Sequence, residues 1–321
     1  MAPSAAPHTR TANIDMDSAL TSVALPAALA IIMFGLGLSL TSADFARVAR
    51  HPKVVTIALA CQLLILPAVA FGLVLMFDLP PLLAVGMMVL AASPGGTTAN
   101  LFSHLYRGDV ALNITLTAVN SVIAVVTLPI ITNFALGYFD PAETGGTMGL
   151  QFTKVLQVFA IVLIPVAIGM AVRARREDFA RRMDRPVRIA SAVVLVAVIV
   201  GTIAAERENV PSYLADVGVI VTMFCLASLG LGYWVPKLLG VHRRQAIACS
   251  MEIGVHNSTL AIAIAISVLD SVDLAIPAAV YGVVMFPAAA AVGWLISRGA
   301  RAETADALPV QDRTERASES G

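Results

Sequence analysis

The sequence predicts an all-α, polytopic membrane protein with nine transmembrane helices in an inverted repeat. Three observations predict it. Hydrophobic residues make up 58% of the 321 and charged residues only 13%, where soluble domains carry about 25% charged residues. Apolar runs recur at the length a helix needs to cross the hydrocarbon, ~20 residues. Basic residues fall almost wholly on one side when nine crossings are drawn. Mean hydropathy is +0.84, so the length is used by spans and not by a soluble core.

Residues 1–18 are polar, with Arg10, Asp15 and Asp17, and read as a disordered tail. The apolar run that follows exceeds the roughly 7–15 residues of a signal-peptide core. Spans are expected at about 19–41, 54–77, 80–107, 110–137, 152–173, 187–205, 211–236, 244–269 and 274–297. Those at 80–107 and 244–269 are expected to be broken. Residues 301–321 are charged and rich in Ser and Thr, a second disordered tail on the cytoplasmic side.

Loop charges give the orientation. With the N-terminus outside, the inner loops hold every one of the 21 Lys and Arg residues except Arg10, Lys154 and Arg207. The opposite loops hold Asp78, Asp140, Glu143, Glu206, Glu208, Asp270 and Asp273. Such a bias predicts an integral protein of the plasma (inner) membrane, N-terminus out and C-terminus cytoplasmic. A formal net charge of zero gives no sign of nucleic acid as a partner; the bilayer is the expected surrounding. Cys61, Cys225 and Cys249 lie in apolar runs without paired spacing, which supports neither a disulfide framework nor a zinc site.

Two stretches depart from the apolar pattern. Ser93-Pro94-Gly95-Gly96-Thr97-Thr98-Ala99-Asn100 interrupts the third span. Glu252, followed by Gly254, His256, Asn257 and Ser258, interrupts the eighth. The third span runs inward and the eighth outward, so spans one to four pair with six to nine in opposite topology and leave the fifth unpaired. Two interrupted helices in corresponding halves point to a transporter's binding site at the midplane. Glu252 lies eight residues past Arg244, about 12 Å in at 1.5 Å per residue. An ionisable group at such depth is a functional candidate by default.

The chemistry follows from what a break exposes. Freed carbonyls suit a small hard cation, and the N-terminal end of a half-helix suits an anion. Asn113 and Thr117 share one helix face, and Gln62 lies at similar depth in the second span. With Asn100, these oxygens are candidate Na⁺ ligands, Glu252 supplying the negative charge; an all-oxygen set suits a hard cation better than zinc or copper. Taken singly, each has a plainer reading. Pro94-Gly95-Gly96 reads also as a kink. Asn113, Thr117 and Gln62 read as hydrogen bonds between helices. His256 reads as a satisfied buried histidine.

On these residues the chain resembles the bile acid:sodium symporter family over roughly residues 19–300. The matching stretches are IIMFGLGLSLTSADF (31–45), Gln62 with Leu66-Pro67, SPGGTTANLFSHLYRGDVALNITLT (93–117) and MEIGVHNSTLAIAIA (251–265). The resemblance implies a core domain with two crossed, broken helices, about 54–137 and 211–297, against a panel domain, about 19–41 and 152–205. It implies that the chain lacks a first helix found in many bacterial relatives. It implies one sodium site from the Ala99 carbonyl, Asn100, Asn113, Thr117 and Glu252. A second would draw on Gln62, Glu252, the carbonyls of Ile253 and Val255, and His256. The substrate would meet the half-helix ends near Thr97, Thr98 and Asn257. The chain departs from the pattern with Asn at 113 in place of Ser and His at 256 where Gln is common.

The expected function is sodium-coupled symport of an organic anion, bile-acid-like or a small carboxylate, by alternating access. The alternative is a proton-coupled or uncoupled organic anion transporter using His256. Metalloid efflux would want a thiol in a break, and neither break contains Cys. An enzyme is not expected: the sequence shows no Ser/His/Asp arrangement, HExxH or P-loop.

Overall fold

The computed structural model describes residues 50–96, 98–139 and 210–306, with short helical pieces between 30 and 38 and between 164 and 193. The described residues are all-helical apart from one isolated β-bridge. Eight helices follow in chain order: α1 Pro52–Met76, α2 Pro81–Ala92, α3 Thr98–Leu105, α4 Val110–Phe139, α5 Val210–Leu238, α6 Arg243–Gly254, α7 Ser258–Ser267 and α8 Ile276–Asp306. Pro52–Met76, Val110–Phe139, Val217–Leu238 and Asp273–Arg298 are long and apolar enough to cross a membrane. The expected spans at 19–41, 152–173 and 187–205 lie largely outside the described residues.

The four long helices are interleaved with two broken ones. Between α1 and α4 the chain forms α2 and α3; between α5 and α8 it forms α6 and α7. Each half-helix is too short to span alone. α6 packs against α3 and α4, while α7 packs against α2 and α8. Halves of one broken helix therefore lie against halves of the other.

Local sequence explains each interruption. Pro94 cannot donate to Leu90, and a residue before proline is pushed to extended backbone. Ser93 is extended accordingly, at φ −70° and ψ 142°. The Leu90 carbonyl is satisfied instead by Ser93, through its N–H at 3.0 Å and its hydroxyl at 2.7 Å. In the second break, Gly254 ends α6 and Asn257 starts α7, its side chain accepting from the Leu260 N–H at 3.1 Å. A milder irregularity marks α1, where Cys61–Ile65 forms a π-helical turn. Pro67 follows and has no N–H for the Leu63 carbonyl, which accounts for the widened turn.

Packing is tight around the breaks. Met87, Leu90, Leu116, Phe224, Leu229, Ile247 and Tyr281 are fully buried. By contrast Leu64, Ile130, Val219 and Val283 are exposed on outer faces, as residues facing lipid are. Elsewhere, Gly169 lies so close to Phe34 and Leu38 that a methyl group there would strike their backbone.

Candidate functional site

The two links cross as a short antiparallel pair. Gly95 and His256 form the bridge. The Gly96 N–H donates to the Val255 carbonyl at 2.7 Å, and the Asn257 N–H donates to the Pro94 carbonyl at 2.8 Å. Unwound backbone at membrane depth is tolerated only where protein or a cavity satisfies it. Here the links satisfy one another. Two flanking carbonyls are also taken: Tyr281 donates its hydroxyl to Gly254 at 2.8 Å, and Ser93 accepts from Gln62 Nε2 at 2.9 Å and from His256 Nδ1 at 3.1 Å. The π-turn in α1 carries Gln62 to that contact.

Four helix ends converge here. α2 and α6 arrive with their C-terminal, carbonyl-bearing ends; α3 and α7 leave with their N-terminal ends. The crossing thus presents partial negative charge from two helices and partial positive charge from two others. Such a junction can hold a cation and an anion side by side.

Glu252 is the sole carboxylate among the buried side chains of the described residues, with 0% exposure. Its Oε2 accepts from Thr117 Oγ1 at 2.5 Å and Asn113 Nδ2 at 3.3 Å. Its Oε1 accepts from Asn120 Nδ2 at 3.3 Å, and Gly95 of the first link lies against the carboxylate. A side chain at Gly95 would overlap the carboxylate itself, so only glycine admits this approach. Asn113 Nδ2 further donates to the Ala248 carbonyl at 3.1 Å.

The sequence-derived residues are distributed as follows. Asn113, Thr117 and Glu252 meet directly. Gln62 and His256 meet at Ser93 and not at Glu252. Ala99 and Ile253 are fully buried, and the Val255 carbonyl is engaged in the bridge. Asn100 and Thr98 lie in the first turn of α3, and Asn257 caps α7. Thr97 lies outside the described residues. Asn120 was not anticipated. It follows Asn113 and Thr117 at seven and three residues, so it continues their stripe, and extending the helical spacing by one turn would have found it.

The donor set fits an alkali cation. Oδ1 of Asn100, Asn113 and Asn120 and Oε1 of Gln62 are buried without a hydrogen-bond partner. A buried acceptor left without a donor is costly, and these four are neutral oxygens suited to a hard cation. His256 Nε2 is likewise buried and unpartnered. Its ring stacks on Phe224, with centroids 5.6 Å apart, and meets Tyr281 edge-on at 5.3 Å. Among the described residues no cluster of three His, Cys, Asp or Glu side chains could hold a metal, so the oxygens here are mainly amides and a single carboxylate.

The chain has relatives among known proteins. The sequence profile of the Sodium Bile acid symporter family matches residues 26–212. The chain is similar to an uncharacterized sodium-dependent transporter, YocS, of Bacillus subtilis, at 30% identity over 79% of this chain and 77% of that protein. It is similar to the probable chloroplastic sodium/metabolite cotransporter BASS2 of Oryza sativa subsp. japonica, at 26% identity over 80% of this chain and 60% of that protein. It is also similar to the ileal sodium/bile acid cotransporter of Homo sapiens, at 26% identity over 76% of this chain and 69% of that protein. The chain belongs to the Sodium Bile acid symporter family and is a transporter, not an enzyme.

Proposed function

We propose that this protein is a secondary active transporter that couples the inward movement of Na⁺ to that of an organic anion. One observation carries the reading. A fully buried carboxylate, Glu252, sits at the crossing of two broken helices, and the buried amide oxygens of Asn113 and Asn120 beside it have no donor. A carboxylate in such a place is costly unless a cation or donors offset its charge. Asn113, Thr117, Asn100, the Ala99 carbonyl and Glu252 would hold the ion. The relatives' names, which specify sodium-dependent transport, support the choice of cation.

The anion would lie against the N-terminal ends of α3 and α7, near Thr97, Thr98 and Asn257. Those ends offer backbone N–H groups and the positive end of each half-helix. A bound cation would add attraction, since the carbonyl ends of α2 and α6 meet at the same point. Sodium would thus favour anion binding, and the gradient would drive uptake. A bile-acid-like amphipath or a small carboxylate fits this description.

Around the core we place the remaining spans as a panel, about 19–41 and 152–205, in a nine-span inverted repeat of the inner membrane. The close approach of Gly169 to Phe34 and Leu38 supports pairing of the first and fifth spans. Rocking of panel against core would expose the crossing to each side in turn.

Glu252→Gln in proteoliposomes tests the reading. The amide keeps the shape and removes the charge. Sodium-dependent uptake is expected to fall to background while the variant still purifies as a folded protein. Undiminished sodium-dependent uptake would end the coupling claim. Uptake by the unaltered protein that ignores sodium and follows pH would favour proton coupling through His256, whose buried, unpartnered Nε2 is the observation behind that reading.

A further inference from the structure

Given the sodium-coupled reading, we infer that this transporter binds a single Na⁺ per cycle, on the α4 side of the crossing, and that His256 sets that number. The crossing has two flanks of different chemistry. On the α4 flank, Glu252 receives Asn113, Thr117 and Asn120, and Gly95 of the link lies against the carboxylate. Asn113 and Asn120 each turn an amide nitrogen to the carboxylate and leave Oδ1 buried without a partner. Asn100 adds a third such oxygen from α3. This flank combines an anionic ligand with neutral oxygens, as a hard cation requires.

The α1 flank differs. Gln62 and His256 converge on the Ser93 carbonyl, at 2.9 Å and 3.1 Å. A carbonyl only accepts, so His256 Nδ1 must carry a hydrogen there. The side-chain atoms left for a ligand on this flank are Gln62 Oε1 and His256 Nε2. An imidazole nitrogen is a poor partner for a hard cation, and when protonated it offers none. Of two further carbonyls, Ser93 already accepts twice and Val255 accepts once, from Gly96 at 2.7 Å. Asn120 donates to Glu252 Oε1 at 3.3 Å and so ties the carboxylate to α4. The ring itself is clamped between Phe224 and Tyr281, so it cannot swing aside to leave an oxygen cage.

The proposal gives a definite charge balance. A monoanion carried with one sodium ion moves no net charge, so uptake would be insensitive to membrane potential. A second sodium would make the same step electrogenic.

The test is the number of ions bound by the purified, full-length chain. Equilibrium dialysis against ²²Na⁺, with choline replacing sodium in controls, should saturate at one ion per chain. In proteoliposomes the sodium dependence of uptake should have a Hill coefficient of about 1, a coefficient limited by the number of sites. Two ions per chain would overturn the inference and leave sodium coupling intact. No bound ion at all would instead overturn the coupling reading. His256→Gln, which replaces the ring nitrogen by an amide oxygen, should bind a second ion and raise the Hill coefficient toward about 2. A folded His256→Gln protein that still binds one ion would remove His256 as the determinant. The wild-type count stands as a test even if that variant does not fold.

Discussion

Asn120 shows most sharply what single side chains contribute. It gives Glu252 a hydrogen bond at 3.3 Å and keeps its own oxygen unpartnered. Asn120→Ala removes both a donor and a candidate ligand. A hydrogen bond to a charged group contributes about 1.5–3 kcal/mol, so sodium affinity measured by ²²Na⁺ dialysis should fall roughly tenfold or more. An unchanged affinity would assign Asn120 to helix packing alone. At this scale the sequence was informative wherever a residue contrasted with its neighbours. Glu252 stands out in an apolar run, and Asn113 and Thr117 stand out by sharing a face. Asn120 is hidden because one more amide in a membrane helix resembles the ordinary polar contacts between spans. The orientation of the carboxylate was not legible either. Its choice of α4 over Gln62 depends on how closely Gly95 lets the link approach, a distance that no residue spacing encodes.

Among the elements, the two breaks are made differently. The first is covalent in origin, because Pro94 forbids a helical hydrogen bond and Ser93 becomes extended. The second depends on weaker preferences, Gly254 at the end of α6 and the Asn257 cap of α7. Asn257 therefore has two roles to separate, as a cap and as a proposed contact for the anion. Asn257→Ala should lower stability by about 1 kcal/mol through the lost cap and also weaken uptake. Asn257→Asp should keep the cap and the melting temperature, yet still impair uptake, because it sets a carboxylate against the anionic substrate. Recovery of both properties in Asn257→Asp would show that position 257 serves the cap only. Both breaks were visible in the sequence as polar residues in apolar runs. Their pairing across the bridge, and the part of Tyr281 in satisfying Gly254, were not. Neither a backbone pairing of four residues nor a tyrosine hydroxyl 27 positions away leaves a periodic trace.

For the whole molecule, the arrangement of charge is the strongest constraint on topology. Arg243 donates to the Ile296 carbonyl at 2.6 Å and 3.2 Å, joining the start of α6 to the far part of α8. Arg298 lies over the Trp294 ring at 3.3 Å. Both contacts put basic residues where the sequence puts the inner surface, and Trp at a membrane boundary is a familiar anchor. Asp78 and Asp270, which the sequence assigns to the outer face, lie in the turns that follow α1 and α7. If the residues before α1 and between α4 and α5 supply the proposed panel, the number of crossings is odd and the two termini face opposite sides. This parity can be measured directly. The three native cysteines are buried, so a membrane-impermeant maleimide should find little background. Ser4→Cys should label in intact cells, whereas Ser320→Cys should label only after the membrane is opened. Labelling of both positions from the same side would require an even number of crossings. The unpaired span would have to lie elsewhere in the panel, and the core geometry would survive while the nine-span repeat would not.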